Sequence, residues 1–101
     1  MLRRAGDLNS VYQEVLRQYA DDQLFLSKLR EAQRAWIAFR DAHLEALYPN
    51  PDRRAAYGSV YGMCAAAGAQ QLTLERTEQL KGWLNGAEEG DVCAGSVRVN
   101  K

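Results

Sequence analysis

The side chains in this sequence that could do chemistry are one histidine, two cysteines and a pair of arginines set among apolar residues. His43 stands alone. Acid–base or nucleophilic catalysis needs a second group within hydrogen-bond reach. A Cys64–His43 dyad is the pairing to consider, and no flanking signature surrounds either residue. One histidine and two cysteines fall short of four zinc ligands unless carboxylates complete the set. No glycine-rich phosphate loop follows a strand, because no segment reads as a strand. The sequence therefore assigns no catalytic residue, metal or cofactor, and a hydrolase or thiol enzyme ranks last among the readings. Counting alone leaves Cys64 and Cys93 open, as one disulfide or as two free thiols.

The arginines say more. Arg40 falls in line with Trp36, Ile37, Leu44 and Leu47, and Arg76 falls midway between Leu72 and Leu80. Both sit on faces that should pack inward, where an unpaired guanidinium is costly. Asp41, Glu45, Glu75 and Glu78 are the nearby acids, with Glu14 across on another segment. Two readings stand side by side. The stems are buried and the heads reach water, or an internal ion-pair network fixes helix register. Trp36 and Trp83 read as core anchors. Glu88, Glu89 and Asp91 form an acidic cluster, either a solvated loop or a contact for a basic partner.

These residues must be held by helices. Between Asp7 and Tyr48 there is no glycine or proline. Leu8, Val11, Tyr12, Val15, Leu16 and Tyr19 make one apolar helical face, with Asp7 placed to cap it. Leu26, Leu29, Gln33, Trp36, Ile37, Arg40, Leu44 and Leu47 make a second, which Pro49 and Pro51 stop. A single rod over both would run about 60 Å, too long for one chain of this size to cover. The expected break is Ala20–Gln23, where either aspartate can cap the next helix. Glycines make Arg53–Gly62 an irregular stretch. A third helix follows from Met63, with Leu72, Arg76, Leu80, Trp83 and Leu84 on one face and Asn85-Gly86 as its C-cap. Residues 87–101 read as a polar tail, tethered through Cys93.

Size and charge bound the function. A chain of 101 residues makes one domain, 1–101, with an ordered core of about 7–86. Lys plus Arg equals Asp plus Glu at 13 each, without the basic excess of a nucleic-acid binder. No apolar run approaches the roughly 18–20 residues of a membrane span. Met1–Gly6 is basic but leads into no hydrophobic segment, which fits a cytosolic protein or the mature part of an exported one.

The stretch Ala32-Gln33-Arg34-Ala35-Trp36-Ile37-Ala38-Phe39-Arg40-Asp41-Ala42 resembles the signature of the LprI-like lysozyme-inhibitor family. Leu8-Asn9-Ser10-Val11-Tyr12-Gln13 resembles that family's opening motif, and Leu72 to Leu80 its closing one, so that the resemblance spans about Leu8 to Leu84. It implies a small helical domain of exported bacterial proteins, periplasmic or secreted, some of which inhibit lysozyme. It makes Trp36, Arg40, Asp41 and Arg76 signature positions. Two positions that commonly hold cysteine in the family are Leu44 and Gly68 here. Their joint loss implies a substitute Cys64–Cys93 bridge, which would suit an oxidising compartment.

The expectation is an all-α, antiparallel three-helix bundle with a polar C-terminal loop. Trp36, Arg40 and Arg76 are expected to serve its core, so that truncating any one costs about 3–5 kcal/mol. The leading function is a binding protein that blocks a peptidoglycan-cleaving lysozyme. Its plugging loop is either Tyr48–Asp52, with Pro49 and Asn50, or Gly86–Asp91. The alternative is an envelope interaction module without lysozyme inhibition, dimerising through the small residues around Gly58 and Gly62.

Overall fold

The computed structural model describes residues 4–100. They form four helices: α1 Arg4–Gln18, α2 Gln23–Leu47, α3 Arg53–Tyr57 and α4 Tyr61–Asn85. Extended pairing among the described residues is limited to one parallel bridge between Ala87 and Val99. The all-α reading holds. Arg53–Gly62 is not irregular throughout, because it contains α3, and α4 begins at Tyr61 rather than Met63.

The first turn falls where the aspartates stand. The Asp22 amide donates to the Tyr19 carbonyl at 2.9 Å. The Asp22 carboxylate then accepts from Phe25 N at 3.1 Å, satisfying a donor that the new helix cannot. At the far end α4 stops at Gly86, whose φ of 83° lies in the left-handed region. A side chain there would also strike the tail, since a Cβ would lie 3.1 Å from the Arg98 carbonyl.

Helix directions follow from cross-helix partners. Phe25 stacks near Trp83, Gln33 bonds Arg76, and Leu44 lies against Gly68, so α2 and α4 run antiparallel. Tyr12 lies beside Arg76 and the Tyr19 hydroxyl donates to the Trp83 carbonyl at 2.9 Å, so α1 runs parallel to α4. α1 packs chiefly on α4 rather than on its sequence neighbour α2. The core gathers at one end, where Val15, Tyr19, Phe25, Leu26, Leu29 and Leu80 are buried. Leu8, Val11, Tyr12, Leu16, Trp83 and Leu84 pack around them. The face drawn on α1 is the one that packs.

The expected antiparallel three-helix bundle is met only in part: there are four helices, and α1 packs parallel to α4. α1 has 15 residues against 25 in each of α2 and α4, a shortfall of about 15 Å of helix. With Tyr12 level with Arg76 and Tyr19 with Trp83, α1 starts level with Gly68, so the first two turns of α4 and the end of α2 from about Leu44 project as a two-helix arm that α1 does not reach. The molecule measures 54 × 30 × 23 Å, with a radius of gyration of 17.0 Å, against about 13 Å for a compact chain of this length. Toward the arm the second apolar stripe becomes half wet: Ile37 is 41% exposed and Leu47 51%.

The tail is held, but not through Cys93. Ala87 N donates to the Arg98 carbonyl at 2.8 Å and Asn100 N to the Ala87 carbonyl at 2.7 Å. Trp83 Nε1 donates to Ser96 Oγ at 3.0 Å. Arg98 straps the α1–α2 turn, with its backbone N on the Tyr19 hydroxyl, Nη1 on the Gln18 carbonyl and Nη2 on Asp21 at 2.5 Å. Its guanidinium lies 4.2 Å from the centre of the Tyr19 ring.

Candidate functional site

At the tip of the arm, residues 48–60 connect α2 to α4. Proline at 49 and 51 prevents helix continuation, and Asp52 starts α3 by accepting from Ala55 N at 3.2 Å. Asn50 Oδ1 accepts from Asp52 N at 2.9 Å, and Asn50 N donates to the Tyr57 hydroxyl at 2.9 Å. Beneath this turn lie three tyrosines. The Tyr48 ring meets Tyr57 and Tyr61 edge-on, both at 5.2 Å. Arg53 ties the layers together. Its Nη1 donates to the Asn50 carbonyl at 2.9 Å, and its Nη2 to both Glu45 oxygens at 3.1 Å. Its guanidinium lies 5.7 Å from the Tyr61 ring centre. The Glu45 carboxylate holds the Arg53 pKa above its ordinary value.

The loop above this base, Pro49–Asp52, is exposed. The arrangement offers a rigid polar projection and no nucleophile–base pair, so it can occlude or bind. The second candidate loop lies at the opposite end of α4. Glu88, Glu89 and Asp91 are exposed there, and the Asp91 amide and carboxylate are engaged within the loop itself. The two loops do not share a surface. No group of acids, histidine and cysteine among the described residues could hold a metal ion. Among the described residues no helix is long and apolar enough to cross a membrane.

The family description of lysozyme inhibitor LprI matches residues 2–80. The chain belongs to the lysozyme inhibitor LprI family. No curated protein and no solved structure gave a match. Of the two readings left open for the arginines of this LprI member, the internal ion-pair network is absent among the described residues. Arg40 lies over the half-buried Trp36 ring at 5.4 Å and pairs with the exposed Asp41 at 3.0 Å. Trp36 stands outside the buried core, because α1 packs on α4 and leaves that face of α2 uncovered.

Arg76 is nearer the expectation. Its Nε donates to Gln33 Oε1 at 3.0 Å and its Nη1 to Gln79 Oε1 at 2.9 Å, while Nη2 is buried without a partner among the described residues. Desolvation lowers its pKa, and neighbouring Tyr12 opposes that shift. Its partners are amides, not carboxylates. Glu14 bonds Arg17 and Gln18 on its own helix, Glu75 accepts from Gln71, and Glu78 from Lys81. Tyr12, Gln33 and Arg76 bring one residue from each of the three LprI motifs into one polar cluster.

The substitute disulfide is also corrected. Cys64 and Cys93 are free and exposed. Cys64 is in the first turn of α4, while Cys93 is three residues from Ser96, which bonds Trp83. The nineteen residues from Cys64 to Trp83 span about 28 Å of helix, far beyond the roughly 7 Å that a disulfide tolerates between Cα atoms. Leu44 and Gly68, by contrast, do meet: a Cβ on Gly68 would lie 3.4 Å from Leu44 Cδ2. His43 stacks near Phe39 at 5.4 Å on α2, with no catalytic partner.

The Glu45–Arg53–Asn50–Tyr57 lattice was not read from the sequence. Its partners lie on both sides of two prolines, where helical spacing carries no information. The available signal was composition: three of the five tyrosines fall within fourteen residues of a proline turn.

Proposed function

We propose that this chain is a periplasmic or secreted inhibitor that blocks a peptidoglycan-cleaving lysozyme by seating its Tyr48–Asp52 tip in the enzyme's cleft. Family membership supports the class of function. The observation that carries the choice of tip is the lattice beneath it: an exposed loop held by Arg53, Tyr57 and Asn50 at the end of a 54 Å molecule. A plug that is rigid before contact loses little conformational freedom on binding. The acidic loop Glu88–Asp91 is held through the backbone of Ala87 and by bonds within itself, without such a side-chain lattice among the described residues.

A turbidity assay on cell walls tests the proposal. The wild-type chain is expected to slow clearing by lysozyme. Pro49→Gly with Pro51→Gly should weaken that effect by about ten-fold or more, by restoring freedom that binding must remove. Glu88→Lys with Glu89→Lys should not weaken it. Retained inhibition in the proline variant, with loss in the acidic-loop variant, would exchange the two loops.

A second reading is favoured by one observation, the exposed apolar side chains Phe39, Leu47, Val60 and Met63 on and near the arm. There the chain is an envelope interaction module. A dimer in solution, together with no effect on lysozyme, would select it.

A further inference from the structure

The two neighbouring arginines of α3 differ in what they do. Arg53 is bound to Glu45, Asn50 and Tyr61. Arg54 is exposed, and its guanidinium has no hydrogen bond or ion pair among the described residues. The residues that follow it are small: Ala55 and Ala56 in α3, then Gly58 and Ser59, all exposed. Arg54 is therefore an exposed long side chain next to small exposed neighbours, on a helix anchored by Arg53 and by the half-buried Tyr57. Arg30 and Arg34 on α2 are exposed and without a partner too, but Arg54 alone of the three adjoins the tip turn, where an unpaired cation is free to enter a recess.

The chemistry of the recess follows from the reaction that a lysozyme performs. Glycoside hydrolysis by the usual mechanism places two carboxyl groups on either side of the scissile bond, about 5–5.5 Å apart in retaining enzymes and about 6.5–9.5 Å in inverting ones. A guanidinium presents two donor edges in a fixed plane, and each edge can take one carboxylate. A lysine ammonium supplies the charge without that planar fork.

Resting on the inhibitor reading above, we propose that Arg54 is the specificity-determining residue of the tip. It inserts between the two catalytic carboxylates of the target glycosidase and donates one edge to each. The partner is thus defined chemically, as a glycosidase with an open cleft and a paired carboxylate floor. Arg53 is the positioning residue that fixes the direction from which Arg54 enters.

The test is a double-mutant cycle by titration calorimetry with a purified c-type lysozyme. It uses wild-type chain, Arg54→Ala and Arg54→Lys against native enzyme and against enzyme whose two catalytic carboxylates are converted to amides. Arg54→Ala is expected to weaken binding to native lysozyme on the order of a hundred-fold, and Arg54→Lys to recover only part of the loss. Against the amide enzyme, the Ala variant and the wild type should bind alike. Melting temperatures should match throughout, since the Arg54 side chain makes no hydrogen bond or ion pair among the described residues. If wild type and Arg54→Ala bind native enzyme equally tightly, Arg54 is not the inserted residue, while the inhibitor reading survives. If the Ala variant loses equally against both enzymes, Arg54 binds elsewhere than on the carboxylates. If wild type binds neither enzyme, the inhibitor reading itself fails, and this inference with it.

Discussion

Arg40 and Tyr19 show how far a residue's position on a helical face determines its work. Both lie on apolar stripes, yet only Tyr19 is enclosed, at 2% exposure. Its hydroxyl serves two partners, donating to the Trp83 carbonyl and accepting from Arg98 N. Tyr19→Phe would leave a part-buried carbonyl and amide short of a partner, so it should cost about 1–2 kcal/mol by chemical denaturation. Arg40→Ala removes a half-exposed cation–π contact and a solvent-facing ion pair, each worth about 1 kcal/mol or less. Its midpoint should shift less than that of Tyr19→Phe. The opposite order would return Arg40 to the core role that its stripe suggests. Helical periodicity gives the angle of a side chain around its axis. It does not say whether another helix covers that angle.

Among the elements, the α1–α2 turn is the joint on which the core end depends. Asp22 caps α2, and Asp22→Ala should cost about 1 kcal/mol. Its neighbour Asp21 is held below the ordinary aspartate pKa by its hydrogen bond and charge interaction with Arg98. A carboxylate with a depressed folded-state pKa stabilises fully above its unfolded value of about 3.9, and that support is lost as acid protonates it in the fold. Hydrogen exchange at the Arg98 amide should therefore quicken as pH falls through that range, once intrinsic exchange is corrected for. Asp21→Asn should bring the faster exchange to neutral pH and remove the pH step; an unchanged step would assign it elsewhere. The break at Ala20–Gln23, the capping aspartate and the Asn85-Gly86 stop were all legible, because each follows from local chemistry. The tail strap was not, since Arg98 and Asp21 are 77 residues apart and nothing local links them. The Leu44–Gly68 contact came through the family resemblance alone. Leu44→Cys with Gly68→Cys should oxidise readily and add about 3 kcal/mol in the chain-entropy model; failure to crosslink would mean that α2 and α4 are splayed at that level.

As a whole, the molecule is a clamped core end carrying a two-helix arm, and the arm carries the tip. Its length follows from unequal helices, which the sequence pattern conceals because residues facing water on the arm continue the same apolar stripe that is buried lower down. Small-angle scattering should give a radius of gyration near 17 Å for the monomer; about 13 Å would mean that the arm folds back. The central claim is that this projecting end occupies a lysozyme cleft. Steady-state cleavage of a soluble oligosaccharide substrate, measured at several concentrations of the chain, tests it most directly. Inhibition should be competitive, with KM rising and kcat unchanged, and an added short chitin oligomer should displace the chain from the enzyme. A fall in kcat at constant KM, with the oligomer and the chain binding together, would place the chain outside the cleft and contradict the account.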